Sequence, residues 1–594
     1  MTPIKRKVII KLLTPVHIGG EPGEDVNISY ILRDADGKAY YPGTAFKGKV
    51  RHYARQLQKD ECKLTDNADN CECTVCKLFG GEGNFRGSLI FSNFRAVGAQ
   101  STDLRVGNSI DRFRRVAEDG ALFTTESAAI CELVGYVTGD ADDCGLKLLE
   151  NSIKLISQIG GNSSRGLGWI DGEIIVEDDL GKSDESADVQ QNSDSDSDSA
   201  LVTHVRVTIA PKSPMLIGAH TTQSNFRDTQ FIIPGSVVRA ALAKSICEND
   251  ETATPKDKDG RIRWVAPIDG ETHFPILREE FSNLKFSVLH SQLQSEPHPI
   301  TMRKCKFHKN HKRVDVLSTL LSEAWKNGSV QELCAENGCK GRLEKVSAYE
   351  DVEDNMPTIT STHSEIDKWR GASRDERLYT VKAIAPDTAE NPVVFCGAIS
   401  GNMDMKELAH LQKFPLYVGA MLTSGFGECE VKFEAISDTT INDVSVQKSE
   451  LRDRIDKFNA LIGDSNETFV PITLMSDAIV DLEEPSDGDY TKAYESIVKP
   501  FKLERVITKA RIWRGFDTSQ SHNFEKSIKF LLQAGSVFVV RVYALDDEVL
   551  EALLEFERNG LKQAQEPHNG YGAVRIAHRN HIDKALTLER GQSQ

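Results

Sequence analysis

The sequence contains no apolar run that approaches the length of a membrane-spanning helix, which needs about 20 predominantly apolar residues. Its first residues, MTPIKRKVIIKLL, are basic and briefly apolar, but no small-residue cleavage site follows them. We therefore interpret this stretch as a first β-strand and not as a signal peptide. With neither a membrane segment nor an export signal, the sequence predicts a cytoplasmic protein that has no membrane partner.

The nucleotide-binding glycine motifs are absent as well. An ATP- or GTP-binding loop requires G-x-x-x-x-G-K followed by Ser or Thr, and a dinucleotide site requires G-x-G-x-x-G at the start of a helix. Residues 160–169 (GGNSSRGLGW) are rich in glycine but contain no lysine and lead into a β-like run. Residues 80–87 (GGEGNFRG) also precede a β-like run. Both stretches argue against an enzyme that uses nucleoside triphosphates.

The chain also lacks a positive net charge, since 72 Lys and Arg stand against 89 Asp and Glu, which gives −17. Much of this excess lies in residues 177–200, where nine acidic residues and one lysine leave −9 for the rest of the chain. This Ser- and Asp-rich segment has no aromatic residue and cannot build a core. We predict an extended, disordered linker over residues 179–200, so local basic clusters decide which partners bind.

Internal repetition is the strongest organisational signal in a chain that is too long for one core. VIIKLLTPVHIGG and YYPGTAFKGKVRHYA, before the linker, correspond to VRVTIAPKSPMLIGA and FIIPGSVVRAALAKS after it. Each pair predicts a strand and then a helix that begins at Pro-Gly, with the next Ser or Thr as its cap and an anion seat at its start. Glycine loops in GGNSSRGLGW, LTSGFGECEV and HNGYGAVRI close three units. We predict modules over residues 1–178, 201–445 and 446–594.

Two further stretches, residues 108–126 and 363–381, share an Ile-Asp pair, neighbouring basic and aromatic residues and a following β-like run. We interpret both as protruding β-hairpins, the second within residues 355–385. Arginine interleaved with aromatic residues suits phosphate contacts and base stacking, whereas the alternative is a solvated charged hairpin. The basic residues of the two hairpins are Arg112, Arg114, Arg115, Lys368, Arg370, Arg374 and Arg377.

The twelve cysteines are unevenly distributed, and the first cluster contains C-x-C-x-x-C. Cys73 and Cys76 have the spacing of a zinc knuckle, which two of Cys62, Cys71 and His52 would complete. Structural zinc at this place would stabilise an insertion that cannot bury a core of its own. The alternative is a cluster of reduced thiols.

A second cluster lies in an insertion predicted around residues 290–345. Cys305, His308 and His311 are spaced by two residues each, and Cys334 and Cys339 follow after a helical span. The spacing predicts a second structural zinc site, in which the two histidines compete for one position. The alternative is that HKNHKR is a basic RNA-binding patch.

The segments PGTAFKGKVR, CKLFGG, NSIDRFRR, ALFTTE and GGNSSRGLGW occur in this order in the first module. In this combination the module resembles the backbone subunit of type III effector complexes, within the RAMP superfamily of CRISPR-associated proteins. The rest of the chain resembles a longer RAMP subunit of subtype III-D, through PGSVVRAALA, PITMRKCK, GCKGRLE, ITLMSDAIV and AGSVFVVRV. The resemblance implies an α+β fold of tandem ferredoxin-like (RRM-like) RAMP modules with β-hairpin thumbs and zinc-binding insertions, formed by fusion of two subunits.

By this resemblance the protein is a cytoplasmic subunit of a prokaryotic type III CRISPR ribonucleoprotein. It would bind guide RNA along the RNA backbone and take part in binding and cleaving complementary target RNA, with sequence read by base pairing. Other effector subunits, including a large polymerase-like subunit, would be its protein partners. Besides the hairpin residues, the predicted RNA-binding residues are Lys47, Lys49, Arg51, Arg165 and Arg239.

Cleaving subunits of this family carry an aspartate between HIGG and the Pro-Gly helix start, and the resemblance assigns this role to Asp25. The target's own 2′-OH would attack the adjacent phosphate, usually with a divalent cation such as Mg²⁺ or Mn²⁺. Glu24, Asp34 and Asp36 stay open as alternatives, although RDADGK is typical of a turn.

The corresponding loop of the second module has Asp228 as its acidic residue, and a structural role is the stronger expectation there. His17 and His220 flank the two loops, and we expect His17 to be packed and not to act as a general base. Two further functions stay open, a non-cleaving scaffold subunit of the same complex and a guide-precursor processing endoribonuclease.

Overall fold

Three antiparallel sheets with one shared strand order organise this chain, as seen in a computed structural model. The structure describes residues 2–22, 28–34, 37–58, 71, 73–80, 87–98, 101–171, 175–178, 201–218, 225–250, 272–322, 333–334, 336–339, 341–366, 373–388, 391–436, 444–463, 467–480, 491–513, 516–517, 524–525, 529–561 and 564–586. The predicted linker over residues 179–200 lies outside these ranges.

The first module is a ferredoxin-like sheet with helices on one face. Its elements are β1 (Thr2–Lys11), β2 (Gly19–Pro22), β3 (Ile28–Ile31), β4 (Tyr40–Tyr41), α1 (Gly43–Leu57), α2 (Thr74–Phe79), β5 (Leu89–Phe91), β6 (Phe94–Ala96), β7 (Thr102–Ile110), β8 (Ala117–Ala128), β9 (Glu132–Ala141), α3 (Asp143–Lys154) and β10 (Ile175–Asp178). Strand β1 lies between β10 and β9, and β5 and β6 pair with the far edge of β9. Strands β7 and β8 form a hairpin that leaves this sheet.

The second module repeats this arrangement and adds an insertion. Its elements are β11 (Leu201–Pro211), β12 (Phe226–Arg227), α4 (Gly235–Glu248), α5 (Pro275–Glu280), β13 (Lys285–Phe286), β14 (His290–Ser291), β15 (Met302–Cys305), β16 (Val314–Asp315), α6 (Leu317–Leu321), β17 (Leu343–Lys345), α7 (Glu350–Asn355), β18 (Thr358–Ile366), β19 (Ser373–Ile384), β20 (Phe395–Asp404), α8 (Met405–Leu411), β21 (Leu416–Tyr417) and β22 (Glu428–Ala435). The sheet runs from β13 and β14 through β20 and β11 to β22. A separate hairpin is formed by β18 and β19, and β15–β17 form the small sheet of the insertion.

The third module has the same core order without a Pro-Gly helix start. Its elements are α9 (Val444–Ile462), β23 (Thr468–Leu474), β24 (Ala478–Val480), α10 (Thr491–Ile497), β25 (Lys502–Ile507), β26 (Ala510–Trp513), β27 (Phe516–Asp517), β28 (Phe524–Glu525), β29 (Lys529–Leu532), β30 (Val537–Val542), α11 (Asp547–Asn559), β31 (Val574–Ile576) and α12 (Arg579–Asp583). Strand β23 lies between β30 and β31, and β25 pairs with the far edge of β30.

The helices form where the sequence supplies an apolar stripe and a cap. Helix α1 buries Phe46, Val50 and Ala54, which lie four residues apart and therefore on one face. The helix that follows β9, β20 or β30 begins at an aspartate whose carboxylate accepts a backbone N–H of the first turn, and this cap is worth about 1 kcal/mol. These aspartates are Asp142 before α3, Asp404 before α8 and Asp546 before α11.

The insertion of the second module is fastened to the third module by buried polar pairs. Asp315, at the end of β16, is fully buried, and its Oδ1 lies 3.1 Å from Nδ1 of His581 in α12. The other ring nitrogen of His581 lies 2.9 Å from the hydroxyl of Thr473 in β23. Apolar residues of α6 and β23 pack beside this group, so the insertion and the third module share a small core of their own.

His290 makes the second module sensitive to acid. Burial lowers the pKa of its imidazole to about 4, and its Nδ1 is buried and has no hydrogen-bond partner among the described residues. The unfolded chain takes up the proton near pH 6.5, so stability is fully present above that pH and is lost as the pH falls toward 4. We expect a loss of about 2 kcal/mol between pH 7 and pH 5, and His290→Phe should reduce it, as measured by thermal unfolding at both pH values. An unchanged difference between these two melting temperatures in the variant would contradict this assignment.

Candidate functional site

The three glycine loops have the same backbone conformation. Each consists of a left-handed residue, a single 3-10 turn and a left-handed glycine, with φ close to +57° before the turn and +80° to +85° after it. Left-handed backbone at a residue with a side chain is uncommon, so its recurrence at one place in three modules reflects a shared architecture. The residues before the turn are Asn162, Met421 and Glu566, and the glycines after it are Gly166, Gly425 and Gly570.

The predicted caps at the Pro-Gly helix starts are wrong. Pro42 and Pro234 themselves are the N-caps of α1 and α4, and neither helix start has a side-chain cap. The N–H of Gly43 donates instead to Oδ1 of Asn93, at 2.9 Å. The proline provides an extended residue with a fixed φ before the helix, which leaves the following Ser or Thr inside the first turn.

A cleft of about 840 Å³ separates the first module from the second. The first module contributes the start of α1, the glycine-rich segment at Gly160 and Gly19 of β2. The second module contributes its glycine loop and the base of the β18–β19 hairpin, including His363. Lys49 also lines the cleft, and burial lowers the pKa of its amine. The cleft therefore combines basic side chains and main-chain groups from two modules.

Asp25 lies outside the residues that the structure describes, as do Glu24, Asp36 and His220. The strands that flank Asp25 are described: β2 contacts β18 of the second module, and β3 runs parallel to β8. Asp34 is a turn residue, since its Oδ1 accepts the N–H of Lys38 at 2.9 Å.

Asp228 makes a local hydrogen bond in its loop. One oxygen of its carboxylate accepts the N–H of Thr229 at 2.9 Å. The neighbouring Arg227 lies over the ring of Tyr379, with 5.4 Å between the guanidinium carbon and the ring centroid. Strand β12 of the second module therefore pairs with β19 of its hairpin, just as β3 pairs with β8 in the first module.

His17 is a packed histidine, as expected. Its Nδ1 lies 2.7 Å from the carbonyl oxygen of Glu126, and its Nε2 lies 3.3 Å from the hydroxyl of Ser29. Glu126, which no sequence motif marks, is central here. Its buried carboxylate accepts the N–H of Ile31 at 3.0 Å and is paired with Arg33, so it joins β3 to the base of the first hairpin. Only the fold brings these residues together, because about a hundred positions separate them.

The predicted basic residues of the first hairpin lie at its tip. Arg112, Arg114 and Arg115 are exposed in the turn between β7 and β8. Phe113, between them, is 99% exposed. Asp111 holds this turn, because its carboxylate accepts the N–H groups of Phe113 at 2.7 Å and of Arg114 at 3.0 Å. These two hydrogen bonds lower the pKa of Asp111. The tip therefore presents an aromatic ring among three guanidinium groups.

The second hairpin is described in part. Lys368 and Arg370 lie outside the described residues, and Arg374 and Arg377 fall on the backbone of β19. At the base, the ring of His363 stacks on Tyr379 with 5.2 Å between centroids. Burial lowers the pKa of His363, and the charge of Arg227 adds to this effect.

The remaining predicted basic residues have different surroundings. Arg165 is exposed in its glycine loop, and its guanidinium lies 5.3 Å from the ring centroid of Phe123. Arg51 donates to the carbonyl oxygen of Gly80 at 2.9 Å, within the protein. Arg239 donates to backbone carbonyls of the segment after α5 and packs on two phenylalanine rings. Lys47 is half-buried on α1.

The first cysteine cluster brings three thiols together. The sulfur atoms of Cys71, Cys73 and Cys76 lie within 4.8 Å of one another, and all three residues are buried. Sγ of Cys73 accepts the N–H of Cys76 at 3.4 Å, so it also caps α2. Within the described residues His52 is not part of this group, since its ring lies 3.0 Å from Nε2 of Gln56. Cys62 lies outside the described residues.

The second cluster gathers all five predicted residues. The ligand atoms of Cys305, His308, His311 and Cys339 lie within 4.8 Å of one another, and Sγ of Cys334 lies 3.2 Å from Nδ1 of His311. Both histidines, which we expected to compete for one ligand position, therefore lie within the cluster. Desolvation opposes ionisation of Cys305, but hydrogen bonds from His308, from backbone amides and from Cys339 lower its pKa to about 6.

Both clusters can hold a metal ion. Three thiols, or three thiols and an imidazole, are ligands that suit tetrahedral zinc. A thiol with a pKa near 6 is already ionised at neutral pH, which is the form that binds a metal. The ion would join β15 to the segment that precedes β17, and it would supply a rigid crosslink to an insertion with few buried apolar residues.

The sequence profile of the RAMP superfamily matches residues 9–171, which span β1 through the first glycine loop. This module belongs to the RAMP superfamily. It is also similar to the protein called CRISPR system Cms endoribonuclease Csm3 of Methanocaldococcus jannaschii, with 28% identity over 189 residues, covering 27% of this chain and 75% of the relative. Among the described helices of this chain, none is long and apolar enough to cross a bilayer.

Proposed function

We propose that this chain is a subunit of a prokaryotic type III CRISPR ribonucleoprotein, in which it binds guide RNA and cleaves complementary target RNA. The observation that carries the proposal is the cleft between the first two modules. It combines a Pro-Gly helix start, a glycine-rich segment and the base of a basic hairpin. The similarity to a protein named as a CRISPR endoribonuclease supports the same conclusion. Other effector subunits, including a large polymerase-like subunit, are the proposed partners, and the prokaryotic cytoplasm is the proposed location.

The proposed RNA path follows the exposed cations. Arg165 in the first glycine loop and Lys49 at the cleft wall would contact phosphates of the guide, while the tip of the first hairpin would contact the guide–target duplex. Phe113 at that tip is almost fully exposed, and such a ring stacks readily on an unpaired base. Arg51 and Arg239 are already bonded to backbone carbonyls, so we assign them to packing.

Removal of the tip cations tests this path. We expect the triple change Arg112→Ala, Arg114→Ala and Arg115→Ala to weaken binding of target RNA by the guide-loaded protein. It should also reduce the slope of log affinity against log salt concentration by about 2, because fewer counterions are released. Fluorescence anisotropy over a range of KCl concentrations measures both quantities.

A matched control removes three exposed cations elsewhere, through Lys154→Ala, Arg452→Ala and Lys457→Ala on helices α3 and α9. This variant should keep the salt slope of the unchanged protein. Equal slopes in the tip variant and the control variant would show that the tip does not contact RNA.

Cleavage is assigned to the β2–β3 loop, which contains Asp25. The hairpin of the second module contacts β2, so a nucleotide displaced by that hairpin would lie close to this loop. The chain's task would be to hold the displaced 2′-oxygen in line with the scissile phosphate, and to take up its proton at a carboxylate. The bond from phosphorus to the 5′-oxygen would break as the 2′-oxygen bonds to phosphorus, and water would protonate the leaving 5′-oxygen. A divalent cation such as Mg²⁺ or Mn²⁺ held by Asp25 would neutralise charge on the phosphate.

Asp25→Ala tests the cleavage assignment. We expect target cleavage by the guide-loaded complex to fall roughly 100-fold or more, with target affinity unchanged. Asp34→Ala is the control within the same loop region, because the carboxylate of Asp34 accepts the N–H of Lys38 in a turn. Cleavage that is unaffected by Asp25→Ala would favour the non-cleaving scaffold instead. Gel assays of labelled target, with and without Mg²⁺, measure the rate.

We also propose that residues 201–594 are RAMP modules fused to the first one. The sheets of the second and third modules have the strand order of the first, and all three close with a glycine loop of one conformation. The segments flanking residues 179–200 both belong to strands, so a linker there would join two complete modules.

Zinc is the metal that we propose for both cysteine clusters. In the first, Cys71, Cys73 and Cys76 would bind it, with Cys62 as the fourth ligand. In the second, three thiols and one of the two histidines would bind it, and the second histidine would lie against the site. Since no ligand position is open to substrate, both ions would be structural.

Cys305→Ser should remove the metal from the second cluster alone. We expect this variant to purify with about one zinc ion fewer per chain and a lower unfolding temperature, because the insertion loses its crosslink. Cys144→Ser, at an exposed thiol on α3, is the matched control and should keep both properties. Elemental analysis and thermal unfolding make the comparison, and equal zinc contents in the two variants would refute the proposed ligand.

A further inference from the structure

The loop between β15 and β16 contains the HKNHKR stretch, for which the sequence leaves metal binding and RNA binding as alternatives. Its two histidines turn toward the Cys/His cluster, because Nδ1 of His308 lies 3.5 Å from Sγ of Cys339 and Nδ1 of His311 lies 3.2 Å from Sγ of Cys334. The lysine that follows each histidine is exposed. The two interpretations therefore do not exclude each other, since they concern different side chains of one loop.

Two further cations face each other beside this loop. The register of β15 and β17 continues past the strand ends, since the N–H of Lys306 donates to the carbonyl oxygen of Arg342 at 3.0 Å. Both residues are exposed. Like charges that lie directly opposite each other destabilise an antiparallel pair, so this arrangement contributes nothing to the stability of the fold. A ligand with negative charge would relieve the repulsion.

The cations of this surface have no acidic partner within 4 Å among the residues that the structure describes. Lys304 shows the contrast, because its amine lies 3.3 Å from a carboxylate oxygen of Glu350. Glu336 lies beside the loop, and its carboxylate accepts the backbone N–H of Lys312. In a chain with a net charge of −17, so many unpaired cations on one small surface indicate an anionic ligand. These cations are Lys306, Lys309, Lys312 and Arg342.

Phe307 adds an aromatic ring to the same loop. Its side chain is 67% exposed. The ring is nevertheless supported from below, since a Cβ atom on Gly341 would lie 3.0 Å from a ring carbon and 3.1 Å from Sγ of Cys305. The ring thus packs on the backbone beside the Cys/His cluster and presents its other side to solvent. An exposed ring among lysines suits the stacking of a nucleic-acid base.

Metal binding does not account for these cations. The first cysteine cluster also gathers three thiols, and Lys77 is the one cation among its described residues from 71 to 80. In the second cluster, residues 304–313 (KCKFHKNHKR) contain five Lys or Arg in ten positions. Since three thiols come together in the first cluster beside a single lysine, the basic residues of the second cluster require another explanation.

The loop lies on a rigid base away from the cleft. Asp315 follows it at the end of β16, where its buried carboxylate contacts His581 of the third module and accepts the hydroxyl of Thr301 at 2.6 Å. None of the described residues between 290 and 345 lines the cleft between the first two modules. Any ligand of this loop therefore occupies a separate site.

We propose that residues 306–312 and Arg342 form a second RNA-binding surface, which holds a single-stranded stretch of RNA outside the cleft. The lysines and the arginine would contact phosphates, and Phe307 would stack on a base. The metal would fix the shape of the loop without touching the RNA. An acidic peptide would pair with the cations but would leave the exposed ring without a partner. The proposal rests on the proposed function, because it takes RNA as the ligand.

Two variants of the full-length protein test this surface with a labelled oligouridine strand. We expect the triple change Lys306→Ala, Lys309→Ala and Lys312→Ala to weaken binding and to reduce the slope of log affinity against log salt concentration by about 2, because each phosphate contact on a single strand contributes about 0.7. Phe307→Ala should weaken binding roughly tenfold and keep the slope, since the ring carries no charge. Fluorescence anisotropy over a range of KCl concentrations measures both quantities.

The controls separate RNA binding from a structural role. Both variants should keep the zinc content and the unfolding temperature of the unchanged protein, in contrast to Cys305→Ser. The variant that carries Lys154→Ala, Arg452→Ala and Lys457→Ala on two distant helices should keep its affinity and salt slope for oligouridine. Equal affinity and slope in the triple loop variant and in this control would overturn the proposal. Competition by polyglutamate as strong as competition by RNA would also overturn it, since the surface would then suit an acidic protein.

Photocrosslinking identifies the strand that occupies the surface. Thiouridine is placed either in the guide or in the target of the guide-loaded complex, and we expect one of the two strands to crosslink to the peptide that contains Phe307. A crosslink from neither strand would contradict the proposal. The proposed function is measured separately, by guide binding and target cleavage. A triple variant that binds oligouridine normally would remove this surface alone, whereas an unchanged protein that binds no guide would remove the proposed function.

Discussion

The close approach of a left-handed glycine to the start of a neighbouring helix is the contact on which this architecture depends. At Gly425 the approach leaves no room for a Cβ atom, and Asn93 uses both ends of its amide to hold the two backbones together. Glycine adopts left-handed backbone without steric strain, and a helix that is capped by proline presents its first N–H in a fixed direction. The same contact between a glycine loop and a helix start therefore recurs between the second and third modules.

This contact between a glycine loop and a helix start determines where the functional surfaces lie. Because each module covers the helix start of the module before it, the hairpin of the second module comes to rest beside β2 of the first. The resulting cleft belongs to two modules, and neither module has it alone. The predicted anion seat at the helix start is thus shared with a glycine loop, and we therefore propose side chains around it, such as Lys49, for phosphate binding.

Buried polar contacts stabilise the segments that lie outside the three cores, and the metal that we propose for the Cys/His cluster would add to this. The insertion of the second module has few buried apolar residues, and it is held by its Cys/His cluster on one side and by the buried Asp315–His581 pair on the other. A buried hydrogen-bonded pair contributes little net stability, but removing one partner leaves the other polar group buried and unsatisfied. Such a pair therefore fixes the position of the insertion more than it strengthens the fold.

The sequence by itself determined the repeats, the two hairpins and the two cysteine clusters, because strand periodicity, glycine loops and ligand spacing are local patterns. It also gave the RAMP resemblance of the first module. Only the tertiary structure decided which basic residues are exposed, since Arg239 and Arg112 look alike in sequence, whereas Arg239 is bonded to carbonyls and Arg112 is exposed at a hairpin tip. The roles of Asn93 and Glu126 could not be predicted from the sequence, because their partners are distant in the chain. Side-chain chemistry alone does not show which residues the fold brings into contact.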